Sequence, residues 1–222
     1  MPKALIVGAG DGFSASLARV LKREGFAIAL AARNTGKLAA LVAETGASVH
    51  ACDAADAAQV AALFDVAGDA EVVCYNPSFR TRGPITDLDP ADVQKSLQVC
   101  AFGAFLVAQQ AARRMLAKGH GTILLTGASA GVKGYPQSAP FAMGKFALRG
   151  LAQSMARELH PQGVHIAHIV IDGGIRSARR ADAAQDSLLD ADAIAETALH
   201  LIRQHRSSWS WEVEVRPWVE KF

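Results

Sequence analysis

Lys3-Ala4-Leu5-Ile6-Val7-Gly8-Ala9-Gly10-Asp11-Gly12-Phe13-Ser14 decides the fold. Ala4 to Val7 is an uninterrupted apolar run, which reads as a strand buried on both faces. Gly8, Gly10 and Gly12 then let the chain turn sharply and let a pyrophosphate approach backbone N–H groups. Phe13, Leu17, Val20 and Leu21 fall on one face of the helix that follows, and Gly25 closes it. A plain βα turn shares this glycine pattern, so its place between a strand and a helix gives it meaning.

The alternation continues along the chain. Phe26 to Ala32, Ser48 to Ala51, Glu71 to Tyr75, Thr122 to Thr126, Val164 to Ile171 and Trp211 to Val215 read as strands. Helical segments run from Thr35 to Glu44, Asp56 to Ala67, Asp89 to Leu116, Ser138 to His160 and Ala191 to Arg203. Apolar strands alternating with helices imply a mostly parallel seven-stranded sheet covered on both faces. This is a three-layer, doubly wound Rossmann-type α/β sandwich. No internal repeat or linker divides the chain, so residues 1–222 read as a single dinucleotide-binding domain.

Composition narrows the function classes. The 222 residues carry 23 Lys and Arg against 21 Asp and Glu, and the scattered basic side chains give no case for nucleic acid or membrane partners. No apolar stretch approaches the roughly 18 residues of a membrane-spanning helix. Cys52, Cys74 and Cys100 lack metal-ligand spacing, and no histidine pair has it, so neither a disulfide scaffold nor a metal site is expected. The strand-and-glycine pattern starts at the N-terminus, which points to a cytoplasmic protein without a signal peptide.

In a doubly wound fold, ligands lie beyond the carboxyl ends of the strands, so the residues just after each strand matter most. Ala32 and Arg33 stand where an acidic residue would bind an adenosine ribose. Arg33 can instead fork onto a 2′-phosphate, favouring NADP over NAD, although it also reads as a solvated loop residue. Asp11 works against that preference. Asp53 either accepts from an adenine amino group or, like Asp56, caps the next helix. Asn76, before Pro77, either brackets the cofactor or simply opens a turn.

Together with Lys145, these residues resemble the short-chain dehydrogenase/reductase family over Lys3 to Phe222. The family's TGxxxGIG is matched by Val7 to Ser14, its NNAG by Tyr75-Asn76-Pro77-Ser78, and its PGxxxT by Asp172-Gly173-Gly174-Ile175-Arg176-Ser177. The resemblance implies cofactor contacts from Gly8, Asp11, Gly12, Phe13, Arg33, Asn34, Asp53, Ala54, Asn76, Pro77, Lys145, Gly173 and Ile175. It also implies a homodimer or homotetramer built through the long helices.

The family's YxxxK pair is Phe141 and Lys145 here, on one helical face. A phenyl ring donates no proton. Ala128 aligns with the family's carbonyl-polarising serine, and Cys100, before Gly103, with its helix asparagine. Lys145 alone remains of the set, and the resemblance gives it the nicotinamide ribose hydroxyls. Ser129 and Tyr135, in the loop before the Lys145 helix, are the substitute catalytic groups; each also reads as an ordinary turn or surface residue. Arg176, Arg179 and Arg180 attract an anionic substrate or the cofactor phosphates, or form a solvated loop. Trp209, Trp211, Trp218 and Phe222 pack an edge or a subunit interface.

Two functions follow as expectations. One is an NADP-dependent oxidoreductase of a small carbonyl or alcohol, with an altered proton-delivery site. The other is a catalytically inactive nucleotide-binding sensor or assembly protein.

Overall fold

The computed structural model describes residues 1–177 and 180–220. Seven parallel strands form one sheet: β1 (Lys3–Val7), β2 (Ala27–Ala32), β3 (Ser48–Ala51), β4 (Val72–Tyr75), β5 (Gly121–Thr126), β6 (Val164–Ile171) and β7 (Glu212–Val215). Their order is β3-β2-β1-β4-β5-β6-β7, so strand order reverses between β1 and β4. That reversal opens a crevice beyond the carboxyl ends of those two strands. The strands read from the sequence are all present, their ends shifted by a residue or so.

Each central strand is apolar on both sides because helices cover both faces. Leu5, Val7, Val73, Tyr75, Ile123 and Leu125 point to one buried layer, and Ala4, Ile6, Cys74 and Leu124 to the other. α1 (Phe13–Arg23), α2 (Ala39–Thr45) and α7 (Ala191–Ile202) contribute to the second layer. α3 (Ala57–Ala67), α5 (Gly103–Lys118) and α6 (Ala139–Leu159) contribute to the first. Cys52, Cys74 and Cys100 are free and buried.

Two helices differ from the sequence reading, for identifiable reasons. The segment from Thr35 starts as a 3₁₀ turn (Gly36–Leu38) before α2, because the Asn34 side chain accepts the Gly36 N–H at 3.1 Å and tightens the chain there. The helix read as Asp89 to Leu116 is α4 (Pro90–Leu97) and α5 joined by a π turn, Gln98–Phe102. A π turn inserts one residue into the helical ladder. Here the buried Tyr75 hydroxyl donates to the Val99 carbonyl and anchors the insertion. Gly103 makes room for this strut: a Cβ there would stand 2.5 Å from the Tyr75 oxygen and 2.7 Å from the Ala54 carbonyl.

Candidate functional site

The crevice has two ends. The first, about 320 Å³, is lined by Gly8, Ala9, Arg33, Asn34, Lys37 and Asp53, with Ala54, Asn76 and Pro77 along its floor. Gly8 adopts φ +80°, and a Cβ there would lie 2.6 Å from the Pro77 ring. The turns after β1 and β4 therefore touch, and only glycine suits both the backbone and the gap. At the head of α1, the first N–H groups to bond back within the helix are those of Ala15 and Ser16, which reach the Gly12 carbonyl. Earlier N–H groups, together with the helix dipole, suit an anion, and no acidic residue sits in the first turn.

Several residues singled out from the sequence take particular places here. The Phe13 side chain is buried in the core, so only its backbone faces the turn. Asp11 is exposed and lies off the crevice lining. Asp56, not Asp53, caps α3, accepting from the N–H groups of Ala58 and Gln59. Asp53 accepts from the Ala55 N–H at 3.0 Å and stays on the crevice wall. Lys37, which the sequence reading missed, joins Arg33 on the rim, so this end carries two cations and one carboxylate.

The second end, about 440 Å³, is lined by Asn76, Ser129, Tyr135, Phe141, Lys145 and Gly173, among others, and Ile175 also reaches it. Asn76 and Ser78 line both ends, so the two adjoin at the β4 turn. A chain of hydrogen bonds runs beneath this junction. Ser14 Oγ donates to the Gly8 carbonyl (3.3 Å), and Asn76 Nδ2 donates to Ser14 Oγ (2.8 Å). Thr126 Oγ1 donates to Asn76 Oδ1 (2.9 Å), and Lys145 Nζ donates to the Thr126 carbonyl (2.8 Å). The Asn76 amide thus pins three strand ends together, and both its polar atoms are engaged within the protein.

Lys145 is 3% exposed. Burial pushes its ammonium below the usual lysine range, with a weaker opposing contribution from Cys100. The Phe141 ring stands one turn earlier on α6, its centroid 5.8 Å from Lys145 Nζ. Ala128 and Ser129 are half-buried on the same wall, and Tyr135 is 41% exposed at the mouth. Cys100 is fully buried in the π turn, with its sulfur 3.5 Å from the Phe79 backbone nitrogen. Asp172 is buried and ion-paired to Lys133 (3.0 Å) and Arg216 (3.2 Å).

The loop after β6 departs from the sequence expectation. Arg176 neither faces an anion site nor stands free: it bonds Asp182, Asp190 (3.0 Å) and Asp186 (3.3 Å) and pins its own loop. Arg180 lines the second end of the crevice. Arg179 lies outside the described residues, as does Phe222. Trp209 stacks on His165 at 4.8 Å between centroids, and Trp218 is largely exposed.

Strand order, the glycine turn and the crevice at the reversal define a doubly wound α/β protein of the dinucleotide-binding class. The chain belongs to the short-chain dehydrogenase family, whose profile matches residues 2–187. It is 29% identical over 172 residues to a D-threitol dehydrogenase of Mycolicibacterium smegmatis, covering 73% of this chain and 66% of that one. The chain thus spans just under two thirds of that relative. A short-chain dehydrogenase from Rhodopseudomonas palustris superposes with a TM-score of 0.86 at 33% identity, over 98% of this chain and 99% of the other. A metagenomic short-chain oxidoreductase in complex with NADP gives 0.85 at 27% identity, over 97% of each chain.

Proposed function

We propose that this chain is an NADP-dependent oxidoreductase of a small carbonyl or alcohol, with a proton-delivery site unlike that of its family. One observation carries the reading: the cavity rimmed by Arg33 and Lys37 adjoins the Lys145 pocket, and Asn76 and Ser78 line both. The residues fit a nicotinamide dinucleotide. The α1 N-terminus and the Gly8 turn suit its pyrophosphate, and Arg33 and Lys37 a 2′-phosphate. Asp53 suits its adenine, and Lys145, held by the Thr126 carbonyl, its nicotinamide ribose. When bound, the nicotinamide supplies the hydride.

The chain's own residues hold and orient. Asn76 fixes the strand ends, and Lys145 keeps a charge-bearing group against the pocket floor. Ser129 and Tyr135, two of the hydroxyl-bearing residues of the pocket lining, serve a substrate oxygen in this reading, in place of the absent phenol at Phe141. The whole chain works as one dinucleotide-binding domain, in the cytoplasm, without nucleic acid or membrane. Phe102, Phe105, Met143 and Phe146 are each more than 40% exposed on the helical flank, which supports a homodimer or homotetramer.

Fluorescence titration tests the cofactor: NADPH is expected to bind more tightly than NADH, and binding of neither defeats the reading. Phe141→Tyr tests the chemistry. Restoring a phenol beside Lys145 is expected to raise NADPH-dependent turnover over a carbonyl panel about tenfold, a fraction of what a general acid contributes. One observation favours a second reading, that of a nucleotide-binding protein without chemistry: phenyl, methyl and thiol groups stand at Phe141, Ala128 and Cys100. Tight NADPH binding with no turnover in either form would establish it.

A further inference from the structure

The substrate side of the crevice is unbalanced in charge. Arg80, Arg82, Arg180 and Lys145 line it against two carboxylates, Asp172 and Glu220. Asp172 is already matched by Lys133 and Arg216. Arg80, Arg82 and Arg180 have no carboxylate partner among the described residues; Arg33, Arg113, Arg157 and Arg206 share that state, but these three share it inside one pocket.

Geometry gathers these guanidiniums at one mouth. Arg80 lies over the face of Phe141, 5.3 Å from the ring centroid, in the first turn of α6. Arg180 folds over the backbone just after β6, so closely that a Cβ on Gly174 would meet its guanidinium carbon at 2.4 Å. Burial, then the charges of Arg82 and Arg180, push the Arg80 guanidinium below its ordinary range. Like charges sharing a pocket repel one another, and a bound anion relieves that repulsion. A further feature points the same way. Ser138 lines this pocket at the N-terminal, positive end of α6, and its buried hydroxyl has no partner among the described residues.

We propose that the pocket selects a small carbonyl or alcohol substrate carrying an anionic oxyacid group, a carboxylate or a phosphate, clamped by Arg80, Arg82 and Arg180. This rests on the Lys145 end being the substrate side. The cofactor's own phosphates are served at the other end, whose lining includes none of the three arginines. Forked guanidinium donors match a planar carboxylate or a phosphate edge, and their exposure makes the attraction sensitive to salt.

The test is calorimetric titration of the NADPH-saturated protein, at low salt, with malonate, inorganic phosphate and uncharged malonamide. One of the anions is expected to bind with unit stoichiometry and malonamide not to bind. The stronger anion tells carboxylate from phosphate. Arg80→Gln, Arg82→Gln and Arg180→Gln each weaken it about tenfold. NADPH affinity stays within about twofold in each, because exposed substitutions of this kind leave the fold intact. The proposal is overturned if neither anion binds, if malonamide binds equally well, or if all three variants bind like the wild type. A parallel loss of NADPH affinity overturns it too, by assigning the guanidiniums to the cofactor. Should NADPH itself fail to bind, the oxidoreductase reading falls, and the same titration on the free protein still decides for or against the anion pocket.

Discussion

The two ends of the crevice are built from different materials. At the Gly8 end, the part suited to a pyrophosphate is main chain, flanked by the Arg33, Lys37 and Asp53 side chains: a left-handed glycine, a helix N-terminus and two strand-end turns locked by Asn76. At the Lys145 end more of it is side chains, and these include the Phe141 ring and the Ala128 methyl, with the buried Cys100 thiol packed against them, at positions where the sequence resemblance puts polar groups. A surface made of main chain tolerates drift in neighbouring side chains, because the N–H groups remain wherever the fold does. A surface made of side chains changes with every substitution. On the reading proposed above, the guanidinium-rich mouth makes this second end one rebuilt around different chemistry, not merely stripped.

That contrast can be broken or sharpened by experiment. The largest effect is expected from Gly8→Val. A β-branched residue at φ +80° that also overlaps Pro77 should cost on the order of 3 kcal/mol in urea unfolding and abolish NADPH binding. Gly10→Ala, two residues on, should be nearly silent in urea unfolding, since the nearest atom to its Cβ is Lys37 Nζ at 4.0 Å. Equal losses of stability at the two positions would show that the turn is not held by the Gly8–Pro77 contact. Next comes Arg33→Glu. Replacing a phosphate-forking cation with a carboxylate should lower the preference for NADPH over NADH by about 100-fold, read from paired titrations. An unchanged ratio would move that preference to Lys37.

The smallest effect is a pH dependence at the far edge of the Lys145 side. His168 is fully buried and bonds Glu212 through Nδ1 at 2.9 Å. Burial holds its pKa below the ordinary value, with Glu212 opposing, and burial lowers that of His165 as well. As pH falls through about 6.5, the unfolded chain takes up these protons first, so stability drops in that window and below it. The urea midpoint should therefore fall between pH 7.5 and 5.5, and more gently in His168→Gln. Identical slopes would locate the titration elsewhere.

Much of this architecture was legible in the residues alone. Strands buried on both faces leave continuous apolar runs, and Ala4 to Val7 or Val164 to Ile171 leave little other reading. The glycine turn, Arg33, Asn76 and Lys145 are found by their place after a strand or on a long helix. What escaped depends on tertiary contacts. The π turn at Gln98–Phe102 is invisible to helical periodicity, because its residues suit a regular helix and its anchor, Tyr75, lies far back in the chain. Lys37 sits on a 3₁₀ turn created by the Asn34 side chain. Arg80 and Arg82 belong to an irregular segment without period, and Asp172 meets Lys133 and Arg216 from separate loops. The choice between Asp53 and Asp56 as a cap required the backbone itself.

The Tyr75 strut also constrains redesign. Its hydroxyl occupies the Val99 carbonyl, and Gly103 is the gap through which it reaches. A designer seeking to graft an asparagine-based proton relay at Cys100 would therefore have to treat Tyr75, Cys100 and Gly103 as one replaceable module. Exchanging the thiol alone would leave the wedge from β4 dictating where the new amide points.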